Sequence, residues 1–221
     1  MNGHVVYVHG LWLHGWEATL LHRRISRQVG CEARVFRYPS VTADLDANAR
    51  ALARFLAGLR TDMLHLVGHS MGGPVILKFF SSELSADGLQ SDGRPLPPGR
   101  IVLLGSPVRG SRAAQRLARL PFGKSIMGLT AREALLTPRE SHWNGARELG
   151  VIAGDLAFGF GRLLGPLNAP SDGTVLVEET RLSGAKAQLT LPVSHSGMMV
   201  SARVARHTAA FLRDGQFGPL I

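Results

Sequence analysis

The sequence predicts an α/β domain in which a mostly parallel central sheet is flanked by helices, and three observations carry that prediction. Short apolar, β-branched runs alternate with longer segments of helical period, the order that right-handed strand–helix–strand crossovers produce. The runs lie against Gly, Pro or Ser, as strands entering turns do. Finally, 221 residues suit one hydrophobic core and are short for two, so residues 1–221 read as a single domain.

In chain order, HVVYVHG, ARVFRYP, MLHLVGH and RIVLLGS read as buried parallel strands. Between the second and third, Asp44 to Arg60 repeats Leu45, Ala49, Leu52, Phe55, Leu56 and Leu59 every three or four residues with its arginines opposite, an amphipathic helix covering a sheet. Helices are also expected over Met71–Phe80 and over Met198–Arg213, the latter ending near Gly215. Two stretches break the alternation. Ser81–Gly99 is rich in Gly and Pro and reads as a turn-rich excursion. Residues 109–143 read as a small cover inserted on the sheet and bordering the site, because loops leaving the carboxyl ends of parallel strands line the crevice; an ordinary decorated crossover helix is the alternative.

Composition narrows the function. Hydrophobic residues at 45% and charged residues at 19% exclude a disordered chain and a coiled coil. The single Cys31 excludes an intrachain disulfide framework and a cysteine-based zinc cluster, and reads as a buried packing residue. The segment MNGHVVYVHGLW lacks the basic start and cleavage site of a secretory signal, and charge-free stretches fall short of the roughly 20 apolar residues of a membrane span. A soluble, cytoplasmic protein is expected.

The most specific motif is Gly68-His69-Ser70-Met71-Gly72, followed by Gly73, where a buried strand gives way to a helix. A serine between glycines on so tight a turn is lifted clear of the sheet, and the free N–H groups of the following helix favour negative charge beside it. A Gly-Ser turn without chemistry is the alternative. His9-Gly10-Leu11-Trp12 follows the apolar strand Val5–Val8. With these two motifs the chain resembles the α/β-hydrolase superfamily, and more narrowly its small bacterial esterase and lipase-like members.

The resemblance spans His9 to His195 and implies an α/β-hydrolase fold, an oxyanion hole made by the backbone amides of Leu11 and Met71, and a bracing role for His9. A serine hydroxyl needs a base and an acid that orients the base, and the superfamily orders them Ser, Asp or Glu, His. His195, in LTLPVSHSGMMV after an apolar strand, resembles the base; His207 and His142 remain rivals. Asp172 in Pro-Ser-Asp-Gly-Thr-Val resembles the lipase acid, with Asp155 as its rival after the apolar run Val151–Gly154. The expected triad is therefore Ser70, His195 and Asp172. The resemblance implies a carboxylic ester or thioester substrate, small-molecule or lipid-like, with no cofactor. An acyltransferase or thioesterase using the same triad stays open, as does a noncatalytic binding protein on this fold. The chain is short for the superfamily and starts directly at a strand, which suggests a trimmed sheet edge.

Weaker signals need weighing beside this one. Trp12, Leu13, Leu117, Leu120 and Phe122, with Leu11 and Trp16, are candidates for an acyl pocket. Gly159-Phe160-Gly161 with Gly165 mimics a dinucleotide fingerprint, but the spacing is wrong and Pro166 follows, so a loop is expected. His65 and His69 are four apart, but on a strand that spacing does not converge on a metal, and none is expected. The formal charge is +9, with 22 arginines and three lysines. From Arg100 to Arg132 run seven cations and no acid, interleaved with Leu117, Leu120, Phe122 and Ile126. A solvated helix face is the bland reading of that stretch, peripheral contact with an anionic membrane or anionic substrate the sharper one, and nucleic acid the weakest. Composition says nothing of oligomeric state.

Overall fold

Among the described residues of the computed structural model, which are 2–81, 95–138, 140–158, 167 and 169–219, six strands form one sheet. They are β1 (Gly3–Val8), β2 (Glu32–Phe36), β3 (Met63–His69), β4 (Ile101–Leu104), β5 (Leu149–Gly154) and β6 (Ala187–Leu191). Their order is β2-β1-β3-β4-β5-β6, and every neighbouring pair is parallel. The register aligns the carboxyl ends: Val8 lies opposite both Phe36 and Gly68, and His69 opposite Leu104.

Alternation along the strands builds two apolar layers. Val6, Val8, Leu64, Leu66, Ile101 and Leu103 face α2 (Leu45–Ala57), α3 (Gly72–Ser81) and the cover helices α4 (Arg112–Arg119) and α5 (Gly123–Leu135). Val5, Tyr7, Val67, Val102 and Leu104 face α1 (Thr19–Val29) and α6 (Ala202–Asp214). The expected mostly parallel α/β architecture is thus observed. Helix α1 is an element that periodicity alone passes over: TLLHRRISRQV buries only Leu21, His22 and Ile25, so its apolar stripe is narrow among polar residues. At the last helix, a 3-10 turn over Gly197–Met199 comes first, and α6 starts only after Ser201, whose side chain accepts the Val204 N–H at 3.2 Å. It ends at Gly215, which takes the left-handed conformation.

Most of the excursion Ser81–Gly99, namely residues 82–94, and the Gly159–Gly161, Gly165 and Pro166 positions lie outside the described residues. Cys31 is half-buried, less enclosed than its packing role suggested, because it sits just before the edge strand β2. His207 is buried within α6. None of the helices among the described residues is long and apolar enough to cross a membrane.

Within residues 109–143 the chain forms α4, a turn, and α5, which bends at Gly128 (φ 74°). The rear of this segment is bolted to the body. Glu179 accepts the Arg112 N–H at 2.6 Å, and Glu133 accepts the Leu45 N–H at 3.1 Å. The buried pair Asn48 and Thr130 adds a 2.8 Å side-chain bond, with Thr130 donating to the Ala43 carbonyl at 2.6 Å. Burial raises the Glu179 pKa.

Candidate active site

The strand order places a crevice before any side chain is considered. The chain leaves β1 toward β2 on one side and returns across β1 to β3 on the other, so the loops following β1 and β3 diverge at the carboxyl edge. Ser70 sits there, on the turn between β3 and α3, with φ 53°. A non-glycine residue in that left-handed region is strained and needs its surroundings to hold it. They do so through close approach: a β-carbon on Gly72 would lie 2.1 Å from the Val8 carbonyl oxygen, and one on Gly68 would lie 2.9 Å from the Gly73 nitrogen. The Ser70 N–H donates to the Leu104 carbonyl at 2.9 Å, tying the turn to β4.

The loop after β1 runs directly against this turn, since a β-carbon on Gly10 would stand 3.1 Å from that of Ser70. His9 holds the loop from below. Its buried ring stacks on Tyr38 with centroids 4.3 Å apart, Nε2 accepts the Tyr38 N–H at 3.3 Å, and Nδ1 donates to the Gly10 carbonyl at 2.8 Å. This network assigns a neutral ring with its proton on Nδ1, in keeping with burial, which lowers its pKa. The Tyr38 hydroxyl in turn donates to the His9 carbonyl at 2.8 Å. Beyond it, the Trp12 N–H donates to Ser40 Oγ at 3.2 Å. The amides of Leu11 and Met71 donate to no turn or loop carbonyl among the described residues.

Asp172 and His195 meet from two loops. Asp172 Oδ2 lies 2.6 Å from His195 Nδ1, and the His195 N–H donates to the Asp172 carbonyl at 2.9 Å. The other carboxylate oxygen accepts from the amides of Thr174 at 2.9 Å and Val175 at 2.7 Å, so both oxygens of this buried acid are occupied and its orientation is set. Asp155 is exposed at the end of β5 and does not partner His195. His142, also exposed, lies 3.4 Å from Ser183 Oγ instead.

Two residues join this constellation that the motifs did not mark. Gly105, ending β4 with φ 52°, lies beneath the acid–histidine pair: a β-carbon there would stand 3.0 Å from Asp172 Oδ2 and 3.2 Å from His195 Nδ1. His69, fully buried beside Ser70 in sequence, packs its ring 4.8 Å from that of His195 and donates from Nε2 to the His195 carbonyl at 3.2 Å. Burial pushes its pKa down to about 3, with the neighbouring His195 adding to the effect, so the ring is neutral. A glycine after a strand and a histidine inside a serine motif are common enough that only the tertiary contacts single these out. His65, by contrast, accepts the Arg100 N–H at 3.0 Å, and burial pushes it down to about 4. Among the described residues, no cluster of three or more His, Cys, Asp or Glu side chains is arranged to hold a metal.

The apolar candidates for a substrate pocket are not gathered into one lining. Leu11 and Leu117 pack partly buried against one side of the sheet and Leu13 against the other. Leu120 and Phe122 instead project outward from the turn between the cover helices, with Phe122 81% exposed.

A model of the alpha/beta hydrolase family matches residues 5–210. Among solved structures, the mature form of the Bacillus licheniformis lipase BlEst2 is similar at 18% identity and a TM-score of 0.60, over 90% of this chain and 86% of that one. The metagenomic carboxyl esterase MGS0156 is similar at 18% identity and 0.60, over 88% of this chain and 64% of that one. The thioesterase RedJ of Streptomyces coelicolor is similar at 14% identity and 0.55, over 94% of this chain and 84% of that one. The chain spans about half, 52%, of the propeptide form of the BlEst2 lipase. A comparison with curated proteins finds no match. At these identities the structural likeness speaks for the fold alone.

Proposed function

We propose, from the premise that the chain belongs to the alpha/beta hydrolase family, that it is a serine hydrolase cleaving a carboxylic ester of a small-molecule or lipid-like acyl group. The observation that carries this reading is the buried Asp172 carboxylate 2.6 Å from His195 Nδ1, with the His195 ring packed 4.8 Å from that of His69, the residue before the strained Ser70. A substrate carbonyl seats its oxygen against the Leu11 and Met71 amides, at the amino end of α3, where developing negative charge is favoured. Ser70 Oγ attacks the carbonyl carbon as His195 Nε2 takes its proton. Asp172 accepts the Nδ1–H, keeping the tautomer and stabilising the imidazolium. Collapse of the tetrahedral intermediate breaks the ester bond, and the leaving alcohol takes the proton back from Nε2. Water, deprotonated by His195, then attacks the acyl-Ser70 ester and releases the acid.

The same groups serve a thioester substrate or an alcohol acceptor, so the leaving group and the acceptor are what experiment decides. Labelling with a fluorophosphonate probe tests the nucleophile: the wild-type chain labels and Ser70→Ala does not. A wild-type chain that stays unlabelled, or a variant that labels equally, overturns the reading. Against a chain-length series of p-nitrophenyl esters and CoA thioesters, faster release from the oxygen esters supports the esterase. Turnover confined to CoA thioesters makes the chain a thioesterase, and acyl transfer to an added alcohol in preference to water makes it an acyltransferase.

A further inference from the structure

The turn between α4 and α5 has a composition and a setting that catalysis does not explain. Leu120, Phe122 and Ile126 are each at least half exposed on the described surface, and Phe122 is the most exposed large hydrophobic residue there. Water-facing apolar side chains this close together mark a contact surface. Arg119 and Lys124 flank them, both exposed, with Lys124 at the rim of a surface recess that Asp44 and Glu133 also line. The wider segment from Arg100 to Arg132 carries no acid.

We infer that this turn docks the protein on an anionic membrane surface, inserting Leu120 and Phe122 into the lipid boundary while Arg119 and Lys124 bind headgroups. Charge complementarity selects that occupant. A second copy would bring two like-charged tips together, and a nucleic acid offers phosphates but no apolar phase for Leu120 and Phe122. The anchoring suits the role: the Glu179–Arg112, Glu133–Leu45 and Asn48–Thr130 bonds fix the rear of the segment, so insertion is borne by a firm support. The turn is also joined to the catalytic edge, because Trp12 Nε1 donates to the Ile126 carbonyl at 2.9 Å and Trp12 adjoins Leu11. Docking therefore sets the crevice containing Ser70 beside the lipid.

This inference goes beyond the hydrolase reading, and its test uses the Ser70→Ala chain throughout, so that binding is read without turnover. Sedimentation with vesicles of phosphatidylcholine containing phosphatidylglycerol, and of phosphatidylcholine alone, is compared in about 0.1 M salt, where the Debye length is about 10 Å, and in about 0.5 M salt, where it is less than half of that. The expected result is binding to the anionic vesicles that falls at least about tenfold in high salt. It also falls about tenfold for Leu120→Ser/Phe122→Ser and for Arg119→Gln/Lys124→Gln. Both double variants change exposed side chains, and unchanged thermal melting verifies that they fold. No binding to anionic vesicles, equal binding to neutral ones, or binding indifferent to both double variants overturns the proposal. So does tighter binding to duplex DNA than to vesicles, or a concentration-dependent dimer that Leu120→Ser/Phe122→Ser dissolves while the wild type ignores vesicles.

Discussion

The turn at Ser70 and the turn at Phe122 are built alike and behave differently. Each places a non-glycine residue at positive φ, 53° and 60°, one or two positions before a helix. Each is followed by a glycine pressed on backbone: a β-carbon would come 2.1 Å from the Val8 oxygen at Gly72 and 1.8 Å from the Leu117 oxygen at Gly123. The first turn is locked between β1, β3 and α3 in the middle of the sheet, with Ser70 half-buried there. The second stands at the molecular surface, and the same local geometry there presents an aromatic ring to solvent. Local backbone geometry does not define a site; what surrounds it does.

The largest contrast lies in the side chains themselves. Ser70→Gly removes the proposed nucleophile and also relieves the positive φ, so ester turnover should fall by about 10⁴-fold or more while stability holds or rises by about 1 kcal/mol. Steady-state kinetics and chemical denaturation on the same variant check both signs. Turnover within tenfold of wild type would end the likeness of this turn to a nucleophile elbow.

A smaller effect separates the two glycines. By distance alone Gly123→Ala is the worse clash, yet the turn before it stands at the surface with Leu120 and Phe122 exposed, whereas Gly72 is clamped between β1 and α3. Gly72→Ala should therefore lose about 3 kcal/mol and Gly123→Ala about 1 kcal/mol. Equal losses in urea titrations would mean that the two turns are equally rigid.

The third difference is titration. His69 and His65 on β3 are pushed down to about 3 and about 4 by burial, whereas the two helices and turn over residues 112–135 hold no histidine. Between the ordinary histidine pKa near 6.5 and those lowered values, the unfolded chain binds protons that the folded one refuses. Stability accordingly falls as pH falls through this window, by about 1.4 kcal/mol per pH unit for each histidine. Unfolding measured between pH 7 and pH 4.5 should show this slope, steepened by His9, His22 and His207, whose pKa values burial also lowers, and His69→Gln should flatten it by up to about 1.4 kcal/mol per pH unit. A stability that does not change over this range would show that neither ring is held neutral by the fold.

The regions differed in legibility for the same reason. Gly68 to Gly73 announces its turn because the backbone there tolerates almost nothing but glycine around the serine, and a steric demand that strict is written into the residues. The strands before it are equally plain, since full burial in a parallel sheet demands continuous apolar runs. His69 and Gly105 were not legible, because their roles consist of contacts to His195 and Asp172, 126 and 67 positions away in the chain by subtraction. Helix α1 was also missed, since it turns only a narrow stripe to the sheet. The exposure of Phe122 is not legible either, since an apolar residue in a helical segment gives no sign of whether it faces the core or water.

The sequence by itself determined the alternation of strands and helices, the serine turn, and the charge of the segment from Arg100 to Arg132, because periodicity, steric exclusion and charge are local properties. The tertiary structure decided that Asp172 and not Asp155 meets His195, that His69 and Gly105 bear on that pair, and that Leu120 and Phe122 point to solvent. Each of these depends on how far apart two loops end once the sheet is assembled, a distance that no stretch of sequence contains.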